Sequence, residues 1–574
     1  MKMEIKDLSA EERQQQEVET VFWQGVLPVL CGCCKASLPS KRRESKIKID
    51  DPVVPVQWEM KVQEGKNMKK SRRWAALGLV AVMSLGLLAG CGGNEGSDEG
   101  GGAERDTITV ATMAEPPTLS HVEHNATAGY YVNLLNFTGL MRLGDDLEPV
   151  PDLAESYEAV SDTEWVFKLR QDVKFHDGTD MTAEDVKASL DYAKNFPEVS
   201  LYNDNIQSVE VVDEYTVKIT TPTPSPVLLF NLTQHANAVV PKKLIDEGHD
   251  FNTDPVGTGP YKFVSWTRGD QLEFEAFEDY YLGEPAIKHI IWKIIPEGSS
   301  RTIALEAGEV DLVIEVESMD VDRIKGNDAL ATVEYYPTSV TWVMLNNEIA
   351  PMDNQAFRHA INSAIDKESV VTVALNGLGA PALAQMPTNI PGVTEENADE
   401  YDVEQAKAYL QESGIDPSTV TFSIICSDDT KKRAGEVVQA NLKEIGIECT
   451  LESMDLATYL SATAEGNFVA AIGGYGMSDT ISYFNGVFHS KSINASNKSR
   501  LNNPEVDALI DEASQTIDKE QREALTTECA ALLNELCSQA PLYQTLSLRA
   551  FNADLQGVTV NANGDLRIED ISWK

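Results

Sequence analysis

Eight cysteines are the first candidates for chemistry: Cys31, Cys33, Cys34, Cys91, Cys426, Cys449, Cys529 and Cys537. A thiol can accept an acyl group, ligate a metal or pair in a disulfide, and spacing separates these fates. No spacing after Cys91 is a zinc pattern. Cys529 and Cys537 fall eight apart in a helical-looking stretch, about 12 Å along a helix, too far for a disulfide. Cys426 and Cys449 can meet only on neighbouring strands; the favoured reading is four buried, reduced thiols. Cys91 differs in its setting. A basic run, Lys69-Lys70-Ser71-Arg72-Arg73, precedes an uncharged stretch from Trp74 to Gly90, and Leu88-Ala89-Gly90 leads into the cysteine. That is an n-region, an h-region and a small-residue cleavage site ending on Cys. Elsewhere there is no nucleophile elbow or phosphate loop, so an enzyme is not expected. His121 and His124 raise a metal question, but with eight histidines in all and no further cluster nearby in sequence, no metal or cofactor is expected.

The Cys91 segment resembles a bacterial lipobox, in which the thiol is acylated before the preceding peptide is cut. Residues 68–90 then form a lipoprotein signal peptide and Cys91 is the lipid attachment site. Residues 91–105, rich in Gly, Glu and Asp, form a flexible acidic tether. A signal peptide should begin a chain, which predicts Met68 as the true start and residues 1–67 as a mis-annotated extension. In support, the codons of Gln63-Glu64-Gly65 can read as a purine-rich ribosome-binding sequence.

The net charge is -44. Beyond residue 90 there are 32 Lys and Arg against 80 Asp and Glu, a net of -48. Such a surface repels nucleic acid and anionic lipid, leaving the lipid anchor as the membrane contact. It suits solubility in an exposed compartment or the attraction of cationic ligands.

Thr107 to Thr112 and Thr163 to Leu169 read as strands, and Thr182 as the cap of a helix with Val186, Leu190 and Ala193 on one face. Asp402 caps a helix that Gly414 ends. Val420 to Ile425, an amphipathic helix through Ala434, Val438 and Leu442, and Ile447 to Leu451 form a β-α-β unit whose strands should be parallel. Another helix begins after Asn503-Pro504.

Several stretches, in order, resemble the peptide/nickel-type extracellular solute-binding proteins, family 5, which include oligopeptide- and dipeptide-binding proteins. They include Pro151-Asp152-Leu153-Ala154-Glu155-Ser156-Tyr157, Val173-Lys174-Phe175-His176-Asp177-Gly178, Pro255-Val256-Gly257-Thr258-Gly259-Pro260-Tyr261, Gly308-Glu309-Val310-Asp311, Phe357-Arg358 with Ala360-Ile361-Asn362, and Pro541-Leu542-Tyr543. Most read as structural. Gly257 and Gly259 mark a turn needing positive φ or close backbone approach. His176 reads as part of a strand-to-helix turn. Arg358 reads equally as an internal salt bridge or a ligand clamp.

The resemblance implies an α/β, two-lobed periplasmic-binding-protein-like fold that closes on ligand like a trap. Lobe 1 would span 106–338, with 546–574 returning to it, and lobe 2 would span 339–545. The implied function is capture of a small solute, foremost a short peptide, outside the cell for an ABC permease and its ATPase subunits, by a monomer. A ligand-sensing co-receptor, or a binder of a nickel chelate or other solute, is the alternative. In the family's peptide binders an Asp meets the ligand ammonium, and the matching segment here holds Tyr475 and Asp479. Asp479 is therefore either that partner or a helix cap. Further ligand-binding candidates are Glu115 at the exit of the first strand, Tyr130 and Tyr131, and Trp342 just after the hinge.

Overall fold

A computed structural model describes residues 105–574. The expected extension, signal peptide, Cys91 and all but the end of the tether lie outside the described residues.

Two sheets organise the described chain. The first has seven strands, in spatial order Leu330–Tyr335, Ser547–Asn552, Leu312–Val313, Thr107–Thr112, His289–Ile294, Gln271–Ala276 and Tyr261–Thr267. Thr107–Thr112 lies between two parallel neighbours. Its β-branched run is what a strand covered on both faces needs. The second sheet has six strands, in the order Gly379–Pro381, Gln539–Thr545, Ser339–Leu345, Ala470–Gly476, Thr421–Cys426 and Glu448–Ser453. The β-α-β expectation holds: Thr421–Cys426 and Glu448–Ser453 are parallel and the helix Asp429–Glu444 joins them. Register keeps their cysteines apart. Cys449 lies opposite Phe422 and Cys426 opposite Ser453, an offset of about 13 Å along the strands. The four described cysteines are free and buried.

Polar residues punctuate the helices as their sequence suggests. Asp402 accepts the N–H groups of Glu404 and Gln405 ahead of Val403–Ser413, and Gly414 closes that helix at φ 69°. Asn503 does the same for Glu505 and Val506 of Pro504–Ala513. At Ala183–Ala193 the Asp185 carboxylate accepts from the Thr182 N–H at 2.9 Å and its hydroxyl at 2.8 Å. Gly257 and Gly259 serve close approach: a Cβ on either would lie 2.2 or 2.5 Å from backbone atoms of residues 135–136. His176 fastens that turn, its Nε2 donating to the Gly259 carbonyl at 2.9 Å.

A four-stranded antiparallel layer stands beside the first sheet. Its order is Ala154–Ser161, Glu164–Leu169, Thr216–Thr220 and Ser208–Asp213. Trp165, Phe167, Val217 and Ile219 meet Val186 and Leu190 of Ala183–Ala193 in its core.

The chain passes between the two main sheets twice. It leaves the first at Tyr335 and enters the second at Ser339; it leaves the second at Thr545 and re-enters the first at Ser547. The flanking strands pair antiparallel on both sides, Leu330–Tyr335 with Ser547–Asn552 and Ser339–Leu345 with Gln539–Thr545. The two passages therefore lie side by side.

Arg358 forms no salt bridge among the described residues and is spent on backbone carbonyls. Its guanidinium donates to the carbonyls of Met352 at 2.9 Å, Leu536 at 2.7 Å and Cys537 at 2.8 Å. The last two end the helix Lys519–Leu536, where free carbonyls and the negative dipole end favour a cation. Replacing Arg358 by Met leaves those buried carbonyls without donors. Urea denaturation should show a loss of about 3 kcal/mol.

Candidate functional site between the two sheets

The helix Thr480–Val487 follows directly from the strand Ala470–Gly476, and the residue between them that caps it is Asp479. Its Oδ2 accepts the Ser482 N–H at 2.6 Å. The helix-cap reading is thus realised. The carboxylate has a second oxygen, and Asp479 also lines a cavity of about 300 Å³. Burial holds its carboxyl above the usual carboxylate range, with the Ser482 donors and Arg522 pulling the other way.

The cavity draws on both parts of the chain. From the second sheet's side come Ser478, Asp479, Lys519 and Arg522; from the first part come Glu148, Tyr157, Trp165, Leu229 and Phe230. Lys519 and Arg522 sit in the first turns of Lys519–Leu536. Arg522 Nη1 is engaged by the carbonyls of Thr516 and Ile517, at 3.1 and 2.9 Å. Lys519 Nζ reaches Glu148 Oε1 at 3.1 Å, an ion pair from one side to the other. Beside it Leu147, at φ 66° and almost fully buried, inserts among Trp342, Tyr483 and Phe484. Ser478 donates to Asn563 Oδ1 at 2.7 Å, a further link across the passages.

The other candidates are placed elsewhere. Tyr475 is half-buried, edge-on to Tyr483 at 5.5 Å; burial, with the Tyr202 phenol of the first part adding to it, holds its phenol above the usual range. Trp342 is 2% exposed and donates from Nε1 to the Gln385 carbonyl at 2.8 Å, so it packs and does not line the cavity. Glu115 Oε2 accepts from Trp266 Nε1 at 3.2 Å and from the Gly269 N–H at 3.0 Å, steadying a hairpin. Tyr130 donates to Asp565 Oδ1 at 2.8 Å and lines a separate cavity of about 80 Å³. The Tyr131 hydroxyl accepts from Arg549 Nη2 at 3.1 Å.

Sequence reasoning missed Arg522, Lys519 and Glu148. One signal was there: two cations in the first turns of a helix oppose its dipole, which calls for another reason to place them. It also missed a third histidine. His235 stacks on His124 at 5.1 Å, and His121 lies beside both, buried among Phe137, Tyr192 and Phe251. Burial, then its histidine neighbours, depresses His121 to about 3, and burial and His124 depress His235 to about 4. Among the described residues one group, His359, Asp399 and Cys537, has metal-ligand types close together. Both His359 nitrogens are already committed, Nδ1 to Asp399 Oδ2 at 2.7 Å and Nε2 to the Glu535 carbonyl at 2.8 Å. Each must carry a proton to donate, so the ring is a cation and does not fit a metal.

Residues 148–495 match the family described as bacterial extracellular solute-binding proteins, family 5 middle. This chain belongs to that family. The glutathione-binding protein GsiB of Pectobacterium atrosepticum is 30% identical over 380 residues, 65% of this chain and 73% of that protein. The probable D,D-dipeptide-binding periplasmic protein DdpA of Escherichia coli is 27% identical over 484 residues, 80% and 92% of the two chains. HbpA2 from Haemophilus parasuis superposes with a TM-score of 0.76 at 25% identity, covering 82% of this chain and all of that one. The two-lobed α/β architecture expected from the sequence is that of these structures, and the family is one of binding proteins.

Neutral buried histidines bind protons more readily once unfolded, so stability falls as pH drops from about 6.5 towards 4. His121 alone should account for about 3 kcal/mol of that loss. Replacing His121 by Phe among its aromatic neighbours should flatten the urea-derived stability profile by that amount between pH 7 and 4. An unchanged slope would remove the histidine from this account.

Proposed function

We propose that the chain is the extracytoplasmic, lipid-anchored binding subunit of an ABC importer. It captures a short peptide between its lobes and hands it to the permease without turnover. The observation that carries this is Asp479, a half-buried carboxylate on the cavity between the lobes of a solute-binding-family chain. A buried carboxylate is costly unless paired, and a ligand α-ammonium supplies the pair. Lobe boundaries near Thr338 and Leu546 fit the two passages, which would act as the hinge. GsiB and DdpA are named for glutathione and D,D-dipeptides, both small peptide-like solutes. The lipobox-like Cys91 would keep the trap at the membrane face, as a monomer beside its permease.

Asp479→Ala should weaken binding of an unblocked tripeptide by about 3 kcal/mol in calorimetry. The wild-type chain should discriminate against the same peptide with its amino group acetylated, and the variant should not. Equal affinities of variant and wild type for the unblocked peptide would refute the assignment. For the anchor, Cys91→Ala should release the chain from membranes into the soluble fraction on fractionation.

A further inference from the structure

The two walls of the cavity differ in chemistry. The wall from the second sheet's side carries Asp479 and Arg522, opposite charges that do not pair with each other within salt-bridge distance among the described residues. Arg522 leans on two carbonyls through Nη1, and among the described residues Nε and Nη2 have no protein acceptor. The facing wall carries Glu148, which Lys519 pairs, and Glu158 at its rim, but is otherwise built from Tyr157, Trp165, Leu229 and Phe230. Tyr157 stacks obliquely on Trp165 at 6.1 Å and is more than a third exposed. Trp165 is 4% exposed and packs behind Tyr157 in the core of the layer.

We infer that this wall is a side-chain subsite, and that the preferred ligand is a short zwitterionic peptide whose first residue is large and apolar. Resting on the peptide-binding reading above, this names the peptide class. Asp479 takes the ammonium and Arg522 an anionic or carbonyl oxygen further along the peptide. The first side chain crosses the cavity to lie against Tyr157, Leu229 and Phe230. A glycine at that position would leave the aromatic wall facing water and forfeit the apolar contact.

Calorimetry on the purified chain with three probes tests this: Phe-Gly-Gly, Gly-Gly-Gly and N-acetyl-Phe-Gly-Gly. Burying one aromatic side chain predicts that Phe-Gly-Gly binds about 10- to 100-fold more tightly than Gly-Gly-Gly. Tyr157→Ala, at a partly exposed position, should cut that ratio several-fold, weakening Phe-Gly-Gly more than Gly-Gly-Gly. Equal binding of Phe-Gly-Gly and Gly-Gly-Gly overturns the subsite and leaves peptide capture standing. Equal losses for both peptides in Tyr157→Ala also overturn it, since a merely structural role would do that. Failure of all three probes to bind overturns both the subsite and the peptide reading.

Discussion

The constraint on which the rest depends is that the chain passes between its two main sheets twice and at adjacent places. Because Leu330–Tyr335 pairs with Ser547–Asn552 and Ser339–Leu345 with Gln539–Thr545, the passages at 336–338 and at Leu546 share one line. Two side-by-side strands can bend about that line, whereas rotation about a single strand would not be defined. Everything that faces across the line is then held in a limited range of positions. The Lys519–Glu148 pair, the Ser478–Asn563 hydrogen bond and the insertion of Leu147 are the contacts that exploit this.

The cavity inherits its asymmetry from the elements on either side. Opposite the second sheet's side lies a four-stranded antiparallel layer: alternate residues of Glu164–Leu169 fill its core, and Tyr157 of Ala154–Ser161, partly exposed, faces the cavity. The second sheet's side offers the ends of helices: the start of Thr480–Val487 gives Asp479, and the start of Lys519–Leu536 gives Lys519 and Arg522. Helix starts are rigid, polar and directed, so charges held there are set before a ligand arrives. That is the preorganisation a binding protein uses to reduce the entropy lost on capture.

Much of this was legible in the sequence where the signal was local. Caps such as Asp402 and Asn503, the parallel β-α-β unit and the close-approach glycines all follow from neighbours within a few residues. The helix-cap reading of Asp479 is local in the same way. What escaped was long-range. His235 lies 111 residues from His124, and Glu148 meets Lys519 from the far side of the two passages. No periodicity encodes such encounters. Trp342 shows the converse: its position just past the hinge suggested a pocket, yet its ring fills the core because Gln385 satisfies its one polar atom. Arg358 reads in sequence equally as an internal salt bridge or a ligand clamp, and it found the carbonyl end of a helix that begins 161 residues later.

In the proposed mode of action a peptide is held between the lobes and the lobes close on it. Small-angle X-ray scattering of the chain, alone and with saturating Phe-Gly-Gly, tests it most directly. Closure predicts a smaller radius of gyration with peptide, approaching the roughly 23 Å of a compact body of this size. Saturation confirmed by calorimetry with an unchanged scattering curve would contradict the account.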